Sequence, residues 1–236
     1  MSLKAVIFDF DGTLSAPNNS NIWNDFWDIL GYSREEGSEY SELGGLFFGG
    51  KIDYQTWCNM TCEKFMNKGF DREKMLTCSR QTNMLNDIGV AFKKLNDMGL
   101  QIGICSGNCD EVIKDCLGDD YSRISVIQAN RLIFDEQDKL TAIIADYDCY
   151  EGKAEFLADF MSDRELNPNE VLFVGNGSND EWAYQSGVNT LCINPEADVR
   201  KDDRTIWHGL IEKTDSLLSV VDYVENFMET QSQPDM

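Results

Sequence analysis

Histidine is nearly absent from this sequence, and its scarcity removes several kinds of catalytic site. His208 is the single histidine among 236 residues. A Ser-His-Asp or Cys-His centre would therefore depend on that one side chain. His208 lies in a polar stretch with no nucleophile motif nearby, so we expect it to have a structural role.

Positive charge is the second deficiency. The chain has 20 Lys and Arg against 42 Asp and Glu, giving a formal net charge of −22. Such a surface repels nucleic acid and anionic lipid, and no basic cluster interrupts it. A phosphorylated small molecule would be repelled too. A phosphate site in this chain must therefore bring its own positive charge, from a metal ion, a lysine or a helix N-terminus.

Long hydrophobic runs are also missing. No apolar run approaches the roughly 18 residues that a membrane span requires, and no secretion signal is recognisable at the N-terminus. We therefore expect no membrane partner and a cytoplasmic location. The eight cysteines are then expected to be reduced and mostly buried. Neither Cys58 and Cys62 nor Cys105 and Cys109 have the additional ligands that a zinc site needs.

What the sequence does contain is an alternation of buried strands and amphipathic helices, which predicts an α/β fold with a doubly wound parallel sheet. Residues 15–82 are different, because their apolar residues recur only at helical spacing. We therefore predict an α/β core domain of residues 1–14 and 83–236, and a small helical cap domain inserted at 15–82. A frayed tail is expected from Thr230 onward. The predicted strands are 5–8, 101–105, 125–127, 132–134, 140–144, 171–174 and 189–193, and the clearest core helices are 90–98 and 153–161.

Two acids close the first predicted strand. Asp9 and Asp11 follow the apolar run 5–8 directly. A plain turn, with Asp11 bonded to its own backbone, would explain Asp-Gly-Thr alone. Two carboxylates at the end of a buried strand, however, need a cation beside them. We therefore interpret the pair as a site for metal-assisted chemistry.

Polar residues follow the other strands as well. Ser106, Gly107 and Asn108 come after the second strand, the polar loop 175–180 comes after Val174, and Lys153 begins a helix. In an open α/β sheet, ligands bind beyond the carboxyl ends of the strands. Carboxylates, a hydroxyl, backbone amides and one ammonium group suit phosphoryl transfer, in which positioning and charge neutralisation dominate catalysis.

These four segments resemble the motifs of the haloacid dehalogenase-type superfamily of aspartate-nucleophile phosphohydrolases. The motif Asp9-x-Asp11-Gly12-Thr13 is similar to the first motif, Ser106 to the second, Lys153 to the third and 175–180 to the fourth. The resemblance covers nearly the whole chain. The helical insert resembles the cap of the phosphoserine phosphatase-like branch.

The resemblance implies a role for each position. Asp9 would be the nucleophile that forms an aspartyl-phosphate, and Asp11 would be the general acid and base. Lys153 would neutralise charge, and Ser106 would hold phosphoryl oxygens. The implied phosphate and substrate contacts are Gly12, Thr13, Ser106, Gly107, Asn108, Lys153 and Asn179, and the implied Mg2+ ligands are Asp9, Asp11, Asn176 and Asp180.

The sequence departs from the family pattern in the fourth motif and in the cap. Asn176 stands where the family has a metal-binding Asp. Asn18 stands where phosphoserine phosphatases have a Glu, and the cap segment 54–62 has no Arg. The candidate contacts for the leaving group are Asn18, Asn19, Asn21, Trp23, Phe47, Phe48 and Lys51, each of which could equally be packing or solvated loop.

The sequence therefore predicts a Mg2+-dependent phosphatase that acts on a small phosphorylated metabolite. Two alternatives remain open. A phosphotransferase would use the same mechanism with an acceptor alcohol in place of water. A catalytically impaired phospholigand-binding protein is suggested by Asn176.

Overall fold

The computed structural model describes residues 2–19, 21–148 and 150–232. Its described strands form one seven-stranded sheet, in the spatial order β4-β3-β2-β1-β5-β6-β7. Neighbouring strands are parallel, except that β4 runs antiparallel to β3 at one edge. The predicted α/β class is therefore confirmed. The strands are β1 (Ala5–Phe8), β2 (Gln101–Cys109), β3 (Val126–Phe134), β4 (Leu140–Ile144), β5 (Val171–Gly175), β6 (Asn189–Ile193) and β7 (Gly209–Ile211).

Eight α-helices are described, and five of them lie between β1 and β2, where no strand is described; the first four of these belong to the insert. Each of these four begins at a side chain that accepts a hydrogen bond from a backbone N–H of the first turn: Asn21, Ser38, Asp53 and Asp71. Such caps satisfy amides that a helix start leaves without partners. The helices are α1 (Ile22–Ile29), α2 (Glu39–Phe48), α3 (Tyr54–Asn67), α4 (Arg72–Ser79), α5 (Ile88–Asp97), α6 (Asp110–Leu117), α7 (Glu151–Asp163) and α8 (Leu218–Ser232).

Strand β1 lies in the centre of the sheet and is fully buried. Val6 and Phe8 pack into an apolar cluster with α5 and α8, whereas Ala5 and Ile7 pack into a second cluster with α7. Because successive side chains point to opposite faces of a strand, a run that is apolar throughout suits a sheet covered on both sides. This central position holds the two acids that follow β1.

Several predicted boundaries are wrong. Strand β2 continues beyond residue 105 to Cys109, with a shift in register between Cys105 and Cys109. The strands predicted at 125–127 and 132–134 are a single strand, β3. Neither β7 nor α8 is predicted by the sequence analysis, and Thr230 belongs to α8. The rest of the predicted frayed tail, 233–236, lies outside the described residues.

The insert is tied to the core at both ends and along one side. Where the chain leaves and re-enters the core, Ser15 forms an antiparallel bridge with Met84. On the far side, Asp71 pairs with Lys139 of the β3–β4 turn at 2.8 Å. Apolar side chains of α1, α3 and α4 share one cluster with β4 and α6. The insert therefore packs continuously against the hairpin formed by β3 and β4. That the insert is a separate domain stays a prediction.

The single histidine and the described cysteines occupy structural positions. His208 precedes β7, where its Nδ1 accepts a hydrogen bond from Thr190 N–H at 3.1 Å. The seven cysteines of the described residues form no disulfide, and all but Cys116 are buried. The remaining cysteine, Cys149, lies outside the described residues.

Candidate active site

A cavity of about 340 Å³ lies between the carboxyl ends of the central strands and helices α1–α3. Its floor comes from β2 and from the segments after β1, β5 and β6, and its roof comes from the insert. The sequence-predicted residues that line it are Asp9, Asp11, Asn21, Trp23, Phe47, Phe48, Ser106, Gly107, Asn176 and Asn179, together with nine others.

The turn after β1 presents both acids to the cavity. Asp9 N–H continues the ladder to β5 by donating to Val174 O at 2.8 Å. The strand ends there, and the carbonyl of Phe10 accepts backbone hydrogen bonds from Thr13, Leu14 and Ser15. Phe10 itself is buried in the core. Asp9 and Asp11 thus reach the same cavity across an apolar anchor, although the strand does not extend through them.

Lys153 is the charged centre of the floor. It is only 1% exposed, although it is a lysine. Its Nζ donates to Asp9 Oδ1 at 3.0 Å and also to Asp180 Oδ1. The other oxygen of Asp180 accepts the N–H groups of Asn176 and Gly177, at 2.8 and 2.9 Å. Asp180 therefore holds both Lys153 and the loop after β5 in place, and each of its carboxylate oxygens accepts a hydrogen bond.

Burial and neighbouring charges alter the acids and the lysine. Burial, reinforced by Asp180, raises the pKa of Asp9 to about 7, against the opposing charge of Lys153. Burial alone would lower the pKa of Lys153, but Asp180 and Asp9 outweigh it and raise that pKa, so the ammonium stays charged. Burial raises the pKa of Asp11 to about 6, with the hydrogen bonds from Asn108 acting in the opposite direction. A carboxyl with such a pKa can exchange protons near neutral pH.

Asn108, a predicted phosphate contact, holds Asp11. The side-chain amide of Asn108 donates to both carboxylate oxygens of Asp11, at 3.0 and 3.2 Å. Asn108 N–H donates to Ser106 Oγ at 3.2 Å. Because Asn108 is buried and does not line the cavity, it positions Asp11 rather than facing a ligand. Ser106 and Gly107 do line the cavity, and their contact with phosphate stays a prediction.

Gly12 and Thr13 support the loop after β5. Gly12 has a φ of +70°, and a Cβ there would lie 2.2 Å from Nδ2 of Asn176. Thr13 is buried, and its hydroxyl donates to Asn176 Oδ1 at 3.3 Å. Neither residue lines the cavity, and their contact with phosphate stays a prediction. Their observed contacts place Asn176 beside the acids.

Glu196 is a lining residue that the sequence analysis missed. It follows β6 by three residues, and its N–H donates to Asn176 O at 3.0 Å. Its side chain also hydrogen-bonds with Asn176. The rule that ligands bind beyond strand ends would have found it, because β6 is the neighbour of β5. Glu196 places a carboxylate beside Asn176, the position at which the fourth motif has an uncharged side chain in place of the family's Asp.

The roof is aromatic. Trp23, predicted as a leaving-group contact, donates its indole N–H to Gly107 O at 2.9 Å. Asn130 of β3 donates to the same carbonyl at 2.6 Å and to Tyr54 Oη at 3.0 Å, joining roof and floor. Asn18, Asn19 and Lys51 do not line the cavity. Asn19 instead accepts a hydrogen bond from Asn83 N–H where the insert rejoins the core.

Among the described residues, no group of three or more Cys, His, Asp and Glu side chains has an arrangement that could hold a metal ion. A Mg2+ site here would have to include other oxygen donors, namely the Asp11 main-chain carbonyl and the Asn176 amide. That donor set is compatible with Mg2+, which prefers oxygen and keeps several waters.

The part of the chain that the structure describes also has no helix with the length and hydropathy needed to cross a bilayer.

Comparison with known families identifies the family of this chain. Residues 3–186 match the model of the haloacid dehalogenase-like hydrolases. The chain belongs to this family. The predicted family and the predicted hydrolase class are therefore confirmed. Comparison with curated proteins gives no match.

Solved structures show the same fold at low sequence identity. An aspartyl-phosphate intermediate analogue of phosphoserine phosphatase is 20% identical, with a TM-score of 0.64 over 94% of this chain and 99% of that one. The phosphoserine phosphatase of T. onnurineus is 21% identical, with a TM-score of 0.63 over 95% and 96%. A probable phosphoserine phosphatase of Vibrio cholerae is 14% identical, with a TM-score of 0.72 over 99% and 68%. At these identities the likeness describes the fold.

Proposed function

We propose that this hydrolase is a Mg2+-dependent phosphatase that cleaves a small phosphorylated metabolite through an aspartyl-phosphate on Asp9. One observation carries the proposal: a buried Asp9–Lys153–Asp180 array lies beside Asp11 at the floor of a cavity. A buried lysine held between two carboxylates is costly unless its charge is used or fully paired. A ligand with negative charge at Asp9 would make use of it.

The chain's own groups support a two-step reaction. In the first step, an Asp9 carboxylate oxygen forms a bond to phosphorus as the bond from phosphorus to the leaving oxygen breaks, and Asp11 gives that oxygen its proton. In the second step, water attacks phosphorus, Asp11 takes the proton from the water, and the bond between phosphorus and Asp9 breaks. Phosphate and the original carboxylate are regenerated. Ser106 Oγ and the amides near Gly107 are suited to hold the phosphoryl oxygens.

The metal would be held by Asp9, the main-chain carbonyl of Asp11 and Asn176. When bound, Mg2+ supplies positive charge that offsets the charge of the phosphoryl oxygens. Asn176 is an oxygen donor without charge, and Glu196 hydrogen-bonds with it from the cavity edge. We propose that Glu196 restores part of the negative charge that Asn176 lacks. Asp180 is not proposed as a metal ligand, because Lys153 and two backbone amides already donate hydrogen bonds to its oxygens. Its proposed role is to hold Lys153 and the loop after β5.

A phospholigand-binding protein without turnover is the second candidate, and Asn176 favours it. Phosphate release from a panel of phosphate monoesters, including a reactive aryl phosphate, over a range of Mg2+ concentrations separates the two. We expect Mg2+-dependent release that disappears in Asp9→Asn. Binding of phosphate esters without release at any Mg2+ concentration would instead favour the binding protein. Release that persists in Asp9→Asn would contradict the nucleophile.

A further inference from the structure

Aromatic side chains form most of the cavity roof, beside Asn21, Asn24 and Gly44. Trp23 and Trp57 meet edge to face with ring centroids 5.3 Å apart, and Tyr54 stacks on Trp57 at 5.7 Å. Phe47 continues the series to Tyr54 at 5.5 Å. Eight described aromatic residues line the cavity, namely Trp23, Trp27, Tyr40, Phe47, Phe48, Tyr54, Trp57 and Tyr150.

Ordinary core packing does not account for all of these rings. Tyr54, Trp57 and Phe47 are only half-buried, and Phe48 is 74% exposed. The ring of Phe48 meets that of Tyr150 edge to face at 6.4 Å, from the opposite side of the cavity. An exposed aromatic patch of this kind, rimmed by polar residues, is typical of a binding site.

Among the described residues, the charged side chains that line the cavity are all carboxylates. Asp9, Asp11 and Glu196 line it, and no Lys or Arg of the described residues does. Lys153 lies below Asp9 and is already paired with two carboxylates. A leaving group with a carboxylate would therefore meet no cation in the roof. A leaving group with a positive charge would meet carboxylates and the negative faces of the aromatic rings.

We propose, on the basis of the proposed phosphatase function, that the leaving group of the substrate carries a quaternary ammonium group held by these rings. A primary ammonium group is strongly hydrated and needs several hydrogen-bond acceptors in exchange for its water. A quaternary ammonium has no N–H to satisfy, so ring faces suffice to hold it. The cavity of about 340 Å³ is at the small end for ligand sites, which suits a short alkyl phosphate.

The test uses two phosphate esters of the same shape and different charge. One is choline phosphate, and the other is its carbon isostere, in which a tert-butyl group replaces the trimethylammonium group. Phosphoserine supplies the carboxylate-bearing comparison. We expect kcat/KM for choline phosphate to exceed that for the isostere by about tenfold, the scale of one well-desolvated cation–π site. Phosphoserine is expected to be poorer still.

Variants connect this ratio to the rings. Trp57→Leu is expected to bring the ratio of choline phosphate to isostere close to one, and Trp57→Phe to leave it intermediate. Phe227→Leu, a like change on the half-buried face of α8, is the control that should leave the ratio unaltered. An isostere or phosphoserine that is hydrolysed as well as choline phosphate would overturn the proposal.

A binding measurement separates failure of the ligand class from failure of the reaction. Asp9→Asn protein is titrated calorimetrically with choline phosphate and with the isostere, both in Mg2+. The titration measures how tightly each ester binds to the cavity without turnover. Tighter binding of choline phosphate would support the ligand class even if no ester were hydrolysed. Equal binding, with an aryl phosphate hydrolysed normally, would refute the ligand class and leave the phosphatase standing.

Discussion

The floor and the roof of the cavity are built by different physical rules. The floor consists of charged side chains at strand ends, where Asp9, Lys153 and Asp180 are almost wholly buried and paired. The roof consists of aromatic rings on helices of the insert, which range from buried Trp27 to exposed Phe48. A buried charge constrains its neighbours strictly, because each must have a partner. An aromatic wall constrains only shape and polarity, so it can be rebuilt for another ligand while the floor is kept.

The largest expected effect belongs to the floor. Asp9→Asn removes the proposed nucleophile with almost no change in shape. We expect kcat to fall by about ten-thousandfold or more, and we expect the thermal midpoint to fall as well, because buried Lys153 loses one of its two carboxylate partners. Steady-state phosphate release and a thermal melt measure the two quantities. A residual rate within tenfold of the wild type would place the chemistry on another residue.

Asp180 tests whether the floor depends on complete pairing. In Asp180→Asn, Lys153 loses a carboxylate partner while it remains buried. Breaking a buried pair from one side typically costs about 3–5 kcal/mol, so we expect a loss of that order in the free energy of unfolding in urea. Phe48→Ala in the roof is the comparison, and its exposed ring predicts a change below about 0.5 kcal/mol. Equal losses would end the distinction between floor and roof.

The metal site allows a change in each direction. Asn176→Asp adds a carboxylate donor and is expected to tighten Mg2+ binding by about tenfold, whereas Glu196→Gln is expected to weaken it by up to that factor. Calorimetric titration with Mg2+ reads both without turnover. Asp198→Asn, an exposed neighbouring acid hydrogen-bonded to Ser178, is the control. If Asp198→Asn matched Glu196→Gln, general charge rather than Glu196 would be responsible.

The smallest effect concerns the bond that joins the two parts. Trp23→Phe keeps an aromatic ring but removes the N–H that donates to Gly107 O. Loss of one such hydrogen bond is worth about 1 kcal/mol. We expect a several-fold rise in KM with kcat almost unchanged, measured with the best ester of the panel. A fall in kcat with constant KM would mean that Trp23 acts on the floor chemistry itself.

The same distinction explains what could be predicted from the sequence. Asp9, Asp11 and Lys153 were identifiable because charges next to buried strands have few physical explanations. The parallel sheet followed from uninterrupted apolar runs such as 171–174. Short β7 and the continuation of β2 through Ser106 were missed, because a three-residue strand and a register shift leave little pattern.

The roof was predicted less well for a physical reason. Trp23 and Phe47 were predicted as candidate contacts of the cap, but aromatic residues in a helical insert are equally expected in its core. Asn18, Asn19 and Lys51 do not line the cavity. Polarity alone does not indicate which way a loop faces. Asn130 depends on contacts between segments far apart in the chain, whereas Glu196 could have been found because it follows strand β6.

The most direct test of the account is to look for phosphate on Asp9. The wild-type protein is mixed with a hydrolysed ester and Mg2+, quenched in acid within milliseconds, and its peptides are analysed by mass spectrometry. The account predicts a hydroxylamine-sensitive phosphoryl group on the peptide that contains Asp9, absent from Asp9→Asn. Rapid phosphate release with that peptide unmodified and another residue phosphorylated would contradict it.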